Sequence, residues 1–301
     1  MREWNATELP SAGEADDWLA ELGVDVGDRA AILALRPALA ASPDLLALLA
    51  DRRRQLITGM GDPRPMPMWG DIGAPHERVG NLFYVWVFLS VLPALRVFHE
   101  RHGVTRHSGN RILGNLAGQL SAYRSLHGVA GLSEQNWLTR HFRGTIFDLG
   151  RLHVERTYFD EDLPASSRPA PALGEPVLSL HIPEGRLTPA ACDDSVAAAT
   201  AFVRREFGHE RYRFAVCTSW VLDPQLRSYL AENSNILAFQ RRFELSPRRG
   251  PDRTDTVIEF VFKRPAADLA ALPQDTSLQR ALVGHVRAGH PWHFRTGWFA
   301  L

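Results

Sequence analysis

The stretch LSLHIPEGRLTPAACDDSVAAATAF, from Leu178 to Phe202, places a titratable ring, a glycine turn and a helix start in immediate succession. A strand that passes through a glycine turn straight into a helix leaves the first helical N–H groups without partners, and such a terminus attracts anions without any charged side chain. Gly185 permits the turn, Thr188 supplies a capping oxygen and Pro189 suits the first helical position. The pattern makes this stretch a candidate anion site. His181 ends the strand, and an imidazole with an ordinary pKa of about 6.5 can take a proton at neutral pH. Cys217 and Ser219 in RYRFAVCTSW stand two apart and share one face of a second strand. A nucleophilic thiol there needs a neighbouring base, and none is predictable, so Cys217 reads as core.

Other chemistries find little support. His99, His102 and His107 in FHERHGVTRH, and His290 and His293 in HPWHF, match no compact ligand spacing, so no metal is expected. No GxSxG elbow, Walker loop or dinucleotide fingerprint occurs. The 34 basic residues balance 34 acidic ones, which argues against a nucleic-acid partner recognised through a positive field. Lys263 is the one lysine, an arginine bias that reads as codon usage. Two cysteines without CxxC spacing suit a reducing compartment, and no apolar segment follows MREWNATELP, so a cytoplasmic protein is expected. NLFYVWVFLSVLPALRVF, residues 81–98, is shorter than the ~20 residues a span requires and is interrupted by Pro93 and Arg96. It reads as a buried core helix, with no membrane partner.

These residues need a scaffold, and the 301-residue chain, 45% hydrophobic and 23% charged, has room for two domains. DDWLAELG, DRAAILALRPALA, SPDLLALLADRRRQLI, the apolar run, GNRILGNLAGQLSAYRSLHG and SEQNWLTRHF repeat apolar residues at helical spacing, with N-caps at Ser42, before Pro43, and at Ser133. GDPRPMPMWGDIGAP between them is an ordered loop or a lid. After Gly144 the period changes. TIFDLGRLHVERTYF reads as a strand with a bulge or turn at Gly150, and a proline-rich connector leads to the strand PVLSLHI. The helix TPAACDDSVAAATAFVRREFG follows, then the strand RYRFAVCTSWVL and the helix DPQLRSYLAENSNILAFQRRFEL, capped at Asp223 before Pro224. A strand DTVIEFVFK, a helix LAALPQDTSLQRALVGHVRAG and a last strand around PWHFRTGWFAL complete the order. The expected fold is α/β (α+β): a helical domain over 1–143, then a mixed β-sheet flanked by helices over 144–301.

GRL at Gly150 to Leu152, LSLHIP at Leu178 to Pro183, CTSWVLDPQL at Cys217 to Leu226 and SNILAFQRRFEL at Ser234 to Leu245 resemble the GNAT-like C-terminal domain of a family of bacterial acyltransferases. The helical half resembles the N-acyltransferase N-terminal domain that precedes it. Resemblance to the wider GNAT superfamily implies that PVLSLHI is its fourth strand and that Pro183, Gly185, Arg186, Leu187 and Thr188 hold the pyrophosphate of an acyl-coenzyme A. RYRFAVCTSW would be the fifth strand, splayed from the fourth to open a slot for the pantetheine arm, with Cys217, Trp220 and Asn235 as further contacts. Ser234 and Asn235 are equally able to cap or bridge backbone.

His181 would then be the base that deprotonates the acceptor, and Ser219 the group that protonates the departing thiolate. Two departures stand out. The superfamily's loop carries a Gln or Arg and two spaced glycines where only Gly185 is present, and its tyrosine acid is replaced by Phe239, which has no proton to give. The implied function is transfer of an acyl group from acyl-coenzyme A, or from an acyl-carrier protein's phosphopantetheine, to a small-molecule amine by direct attack in a ternary complex. The MPMWGDIG loop would close over the slot, and the FYVW run would line a pocket. The rival is a catalytically silent GNAT-like module that binds a ligand or partner, and a third reading is an aminoacyl-transferring relative.

Overall fold

The computed structural model describes residues 9–164, 169–264 and 269–301. The chain divides into two compact units, Met1–Phe147 and Asp148–Leu301.

The first unit is helical. Its elements are α1 (Ala12–Glu21), α2 (Val26–Ala34), α3 (Arg36–Ala40), α4 (Pro43–Thr58), α5 (Phe83–Arg101), α6 (Arg106–Leu113), α7 (Asn115–His127) and α8 (Gln135–Phe142). Polar side chains start several of them. Ser11 and Glu14 form a reciprocal capping box on α1, Asp25 caps α2, Ser42 with Pro43 starts α4, and Thr105 caps α6. The expected cap Ser133 falls one residue short, because α8 takes Glu134 as its N-cap without a side-chain bond.

α5 is the hub, apolar all round because its neighbours surround it. Every residue from Phe83 to Leu92 is buried. With its preceding turn it is long and apolar enough to cross a membrane, and 72% of its most apolar window is buried inside the protein. The 61–75 loop is ordered. Trp69 exchanges two backbone bonds with the Asn136 amide (2.7 and 2.9 Å), donates from its indole to Gln55 (2.9 Å) and stacks on Tyr84 and Phe88.

The second unit carries the sheet apart from the first two residues of β1, with strands β1 (Ile146–Asp148), β2 (His153–Tyr158), β3 (Pro176–His181), β4 (Phe214–Ser219), β5 (Glu244–Leu245) and β6 (Arg295–Ala300) in the order β1-β2-β3-β4-β6-β5. β2–β3, β4–β6 and β5–β6 are antiparallel, and β3–β4 is parallel. A parallel pair needs a crossover, which α9 (Pro189–Glu206) supplies.

Four sequence expectations are corrected here. DTVIEFVFK is the helix α11 (Thr254–Phe262), not a strand. Its buried residues are Val257, Ile258 and Phe262 while Phe260 is exposed, a helical stripe and not an alternation. DPQLRSYLAENSNILAFQRRFEL is not one helix. A 3-10 turn at Pro224–Ser228, a separate short α10 (Asn235–Gln240) capped by Ser234 and the strand β5 replace it. The break is held by the buried Gln240 amide, which donates to the carbonyls of Val221 and Asp223 (2.8 and 3.0 Å). The strand RYRFAVCTSWVL is shorter than expected, since Trp220–Leu222 forms a 3-10 turn capped by Ser219. The last helix, α12 (Ser277–Arg287), starts at a Thr276–Gln279 capping box rather than in LAALP.

Candidate active site

β3 and β4 share only two ladder positions, Leu178 with Ala215 and Ser179 with Val216. Beyond them β3 stays with β2, pairing Leu180 with Val154 and His181 with His153. β4 stays with β6, pairing Cys217 with Gly297, Thr218 with Thr296 and Ser219 with Arg295. The two central strands therefore part at their C-terminal ends, and a split of this kind offers backbone donors and acceptors to an extended ligand.

His181 stands on one lip of the split, about a quarter exposed, with its Nε2 2.8 Å from Oε2 of Glu155, whose side chain is 5% exposed. A carboxylate only accepts, so Nε2 carries the hydrogen and the lone pair of the neutral ring sits on Nδ1. Glu155 holds the ring in the tautomer and orientation that a base requires.

Strand alternation places the other residues. The β3–β4 register puts His181 on the face that carries Ser179, Val216 and Thr218, whereas Cys217 and Ser219 lie on the opposite face with Leu178 and Leu180. His181 and Ser219 thus do not share a face. Thr218 is the exposed hydroxyl on the His181 face, and its Oγ1 lies 3.0 Å from that of Thr296. The Ser219 hydroxyl accepts from the Val221 N–H (3.1 Å) as the cap of the turn that follows. Cys217 is 1% exposed, and burial pushes its thiol up to about 12, so it is no thiolate at neutral pH and its side chain is core.

The loop after β3 turns at Gly185 (φ +120°) and enters α9 through Thr188, whose hydroxyl accepts from the Ala191 N–H (3.4 Å). Leu187 is buried and anchors the loop, while Arg186 is exposed. Glu184 pairs with Lys263 at 3.0 Å.

The loop is also gripped from below. Arg151, in the turn between β1 and β2, donates to the carbonyls of Pro183, Gly185 and Arg186 at 2.9, 2.7 and 2.9 Å. That turn is fastened to α9. The Leu152 N–H donates to the Ser195 hydroxyl (3.1 Å), and a Cβ on Gly150 (φ +105°) would lie 2.9 Å from the same oxygen. At the start of α9, Arg242 donates to the Pro189 carbonyl (3.0 Å) and pairs with Asp193. Trp220 is buried at the start of its 3-10 turn, and Asn235 begins α10, which packs against α9. Phe239 is 2% exposed and packs on Phe243, so the position expected for a tyrosine acid is core. An open cleft of about 800 Å³, lined by Tyr158, Glu175, His209 and Arg213 among others, lies at the opposite end of the β2–β3 pair and is no part of this site.

A parallel strand–loop–helix crossover beside a split sheet, with the loop at the mouth of the split, is the arrangement of GNAT-type acyltransferases. Residues 146–299 match the GNAT-like C-terminal domain and residues 13–144 the N-acyltransferase N-terminal domain. The chain belongs to this family and is an N-acyltransferase. Among solved structures it is similar to an acyltransferase mutant in complex with octanoyl-CoA (35% identity, 98% of this chain and 90% of that one, TM-score 0.83). It is similar also to an acyltransferase in complex with decanoyl-CoA (36% identity, 98% and 89% covered, TM-score 0.83). A third is an acyltransferase in complex with decanoyl-CoA and teicoplanin (35% identity, 98% and 90% covered, TM-score 0.80). No curated protein matches the sequence.

Proposed function

We propose that this N-acyltransferase moves a medium-chain acyl group from coenzyme A to an amine on a glycopeptide-class acceptor. The observation that carries the reading is the parting of β3 from β4 with the residue 183–188 loop at its mouth. Its amides and the α9 N-terminus suit the pyrophosphate, and the split suits the amide-bearing pantetheine arm. Relatives about as similar over nearly the whole chain hold octanoyl-CoA, decanoyl-CoA and teicoplanin, which supports both the donor and the bulk of the acceptor.

His181 is the base. Its Nδ1 takes one proton from the acceptor's ammonium, directly or through one water; the freed amine attacks the thioester carbonyl, the C–N bond forms, the C–S bond breaks, and the proton still carried by the nitrogen passes to the departing thiolate through water, leaving amide and free thiol. A thiol ionises near pH 8.5, so its departure needs little acid assistance, in keeping with Phe239 being core. Ser219 has no place in this scheme, because it faces away from His181. Direct transfer, without an acyl-enzyme, agrees with the buried and protonated state of Cys217. Both cysteines are unpaired, which supports a reducing, cytoplasmic setting.

The test is release of free thiol from acetyl- to decanoyl-CoA with and without an amine-bearing glycopeptide, followed by the mass gain of the acceptor. Thiol release that needs the acceptor and favours the longer chains is expected. No release from any donor, with coenzyme A binding intact, would return the protein to the silent-module reading, and release only from acyl-carrier thioesters would replace coenzyme A as donor.

A further inference from the structure

The residue 183–188 loop lacks the glycines that let related loops present their amides, so something else must set its peptide planes. Arg151 does so by hydrogen bonding. Its Nη2 donates to the carbonyls of Pro183 and Gly185, and its Nε to that of Arg186. The only cis peptide among the described residues is Ala74–Pro75, so the peptides of this loop are trans. In a trans peptide the carbonyl of one residue and the N–H of the next point in opposite directions. Three carbonyls drawn to one guanidinium therefore turn the N–H groups of Glu184, Arg186 and Leu187 to the other side of the loop. Among the described residues no acceptor engages these three N–H groups. Successive amides aimed to one side form an anion-binding concavity, and this one continues into the first turn of α9.

We propose that Arg151 is a positioning residue for donor recognition: its guanidinium builds the phosphate-binding face of the loop by holding the carbonyls on the far side, and never touches the phosphates itself. The inference rests on the coenzyme A reading above. The guanidinium fork is what the task requires, since three donors on one rigid plane reach three carbonyls, whereas an ammonium on a flexible stem cannot span them in fixed geometry. Gly150 and Ser195 belong to the same device. The left-handed glycine brings the turn against α9, and the Ser195 hydroxyl ties it there, so the arginine is braced on the helix whose N-terminus it helps to complete.

The experiment compares wild type, Arg151→Lys and Arg151→Ala, all checked for folding by circular dichroism. Two measurements are made: coenzyme A binding by calorimetry, and kcat and KM with decanoyl-CoA and with the phosphate-free decanoyl N-acetylcysteamine thioester. Both variants should bind coenzyme A at least tenfold more weakly, with the kinetic loss in KM and not kcat. The loss in kcat/KM should be at least tenfold larger for decanoyl-CoA than for the phosphate-free donor, and guanidinium ion should partly restore Arg151→Ala. Recovery of wild-type binding by Arg151→Lys would show that charge alone matters and would overturn the proposal. Equal losses with the two donors would also overturn it, by making Arg151 a general support of the fold. A wild type that binds no coenzyme A would instead remove the donor reading itself, and with it the basis of the inference.

Discussion

Glu155 and His181 meet diagonally across β2 and β3: Nε2 and Oε2 lie 2.8 Å apart, while the residues directly opposite them in the register are Ser179 and His153. Diagonal neighbours on one face of an antiparallel pair lie within reach of long side chains. The pairing therefore follows from register alone, and it fixes the tautomer and orientation that the proposed base role of His181 requires.

His181→Ala should lower turnover by roughly 100- to 10,000-fold, the usual range for a positioned base. Glu155→Gln should cost about tenfold, because an amide can present either an acceptor or a donor to Nε2 and no longer selects one tautomer. Turnover and thermal midpoint are to be read on the same samples. A loss of stability of about 1–3 kcal/mol with turnover intact in the folded fraction would mark the pair as structural.

Gly185→Val should weaken coenzyme A binding by about tenfold. Nothing lies within 4 Å of a Cβ at this position, so the effect is one of backbone and not of crowding. At φ +120° a β-branched residue is strained by about 1–3 kcal/mol, and the loop relaxes away from its binding shape. Gly174→Ala is the control. It too has a left-handed backbone (φ +77°) and open space around its Cβ, but it lies at the other end of the β2–β3 pair. It should lose stability without losing affinity, as calorimetry and thermal unfolding will show.

Stability should fall as the pH drops from about 6.5 toward 4, through His99. Burial, with a smaller contribution from His102, lowers the pKa of His99 from 6.5 to about 4. The unfolded chain therefore binds a proton across this window that the folded chain refuses. Stability is complete above pH 6.5 and is lost progressively on acidification, by about 3 kcal/mol in all. His99→Gln should flatten this limb in urea unfolding curves measured between pH 7 and pH 4.5. A second limb lies lower: the hydrogen bond from Arg106 lowers Glu21 to about 2, so that its contribution disappears between pH 4.5 and 2.

Glu210→Ala should destabilise the second unit by about 3–5 kcal/mol, because it strands a guanidinium. Arg156 is 2% exposed, bonded to Glu210 and the Tyr212 hydroxyl, and lies over the Phe207 ring at 3.5 Å. Adding Arg156→Met to Glu210→Ala should recover most of the loss. A double variant as unstable as the single one would show that the arginine stem, and not its charge, is what the core requires.

The loop and α9 were legible because Gly185, Thr188 and Pro189 each perform a local task that does not depend on the rest of the fold. Glu155 was not legible as the partner of His181. A long connector separates the two strands, and a slip of one residue would have sent its side chain to the other face. The same uncertainty hid the opposite facing of His181 and Ser219, which only the two-position β3–β4 ladder reveals. Arg151 was visible as part of the GRL word, but an arginine that serves backbone carbonyls leaves no charged partner in the sequence to betray it. TVIEFVF has the β-branched and aromatic content of a strand, yet its buried Val257, Ile258 and Phe262 follow the spacing of a helical stripe, and the spacing decides.

Lys263 is the one lysine among 34 basic residues, and it lies 3.0 Å from Glu184 of the loop, with its side chain 40% exposed. For protein chemistry this is a built-in handle. An amine-directed dye, cross-linker or affinity resin has one side-chain target within these 301 residues, and a lysine-specific protease has one bond to cut, between Lys263 and Arg264. A fluorophore coupled there would test whether the donor binds at the adjacent loop without an engineered cysteine, and protection of that single cleavage site would test the same proposal without any label.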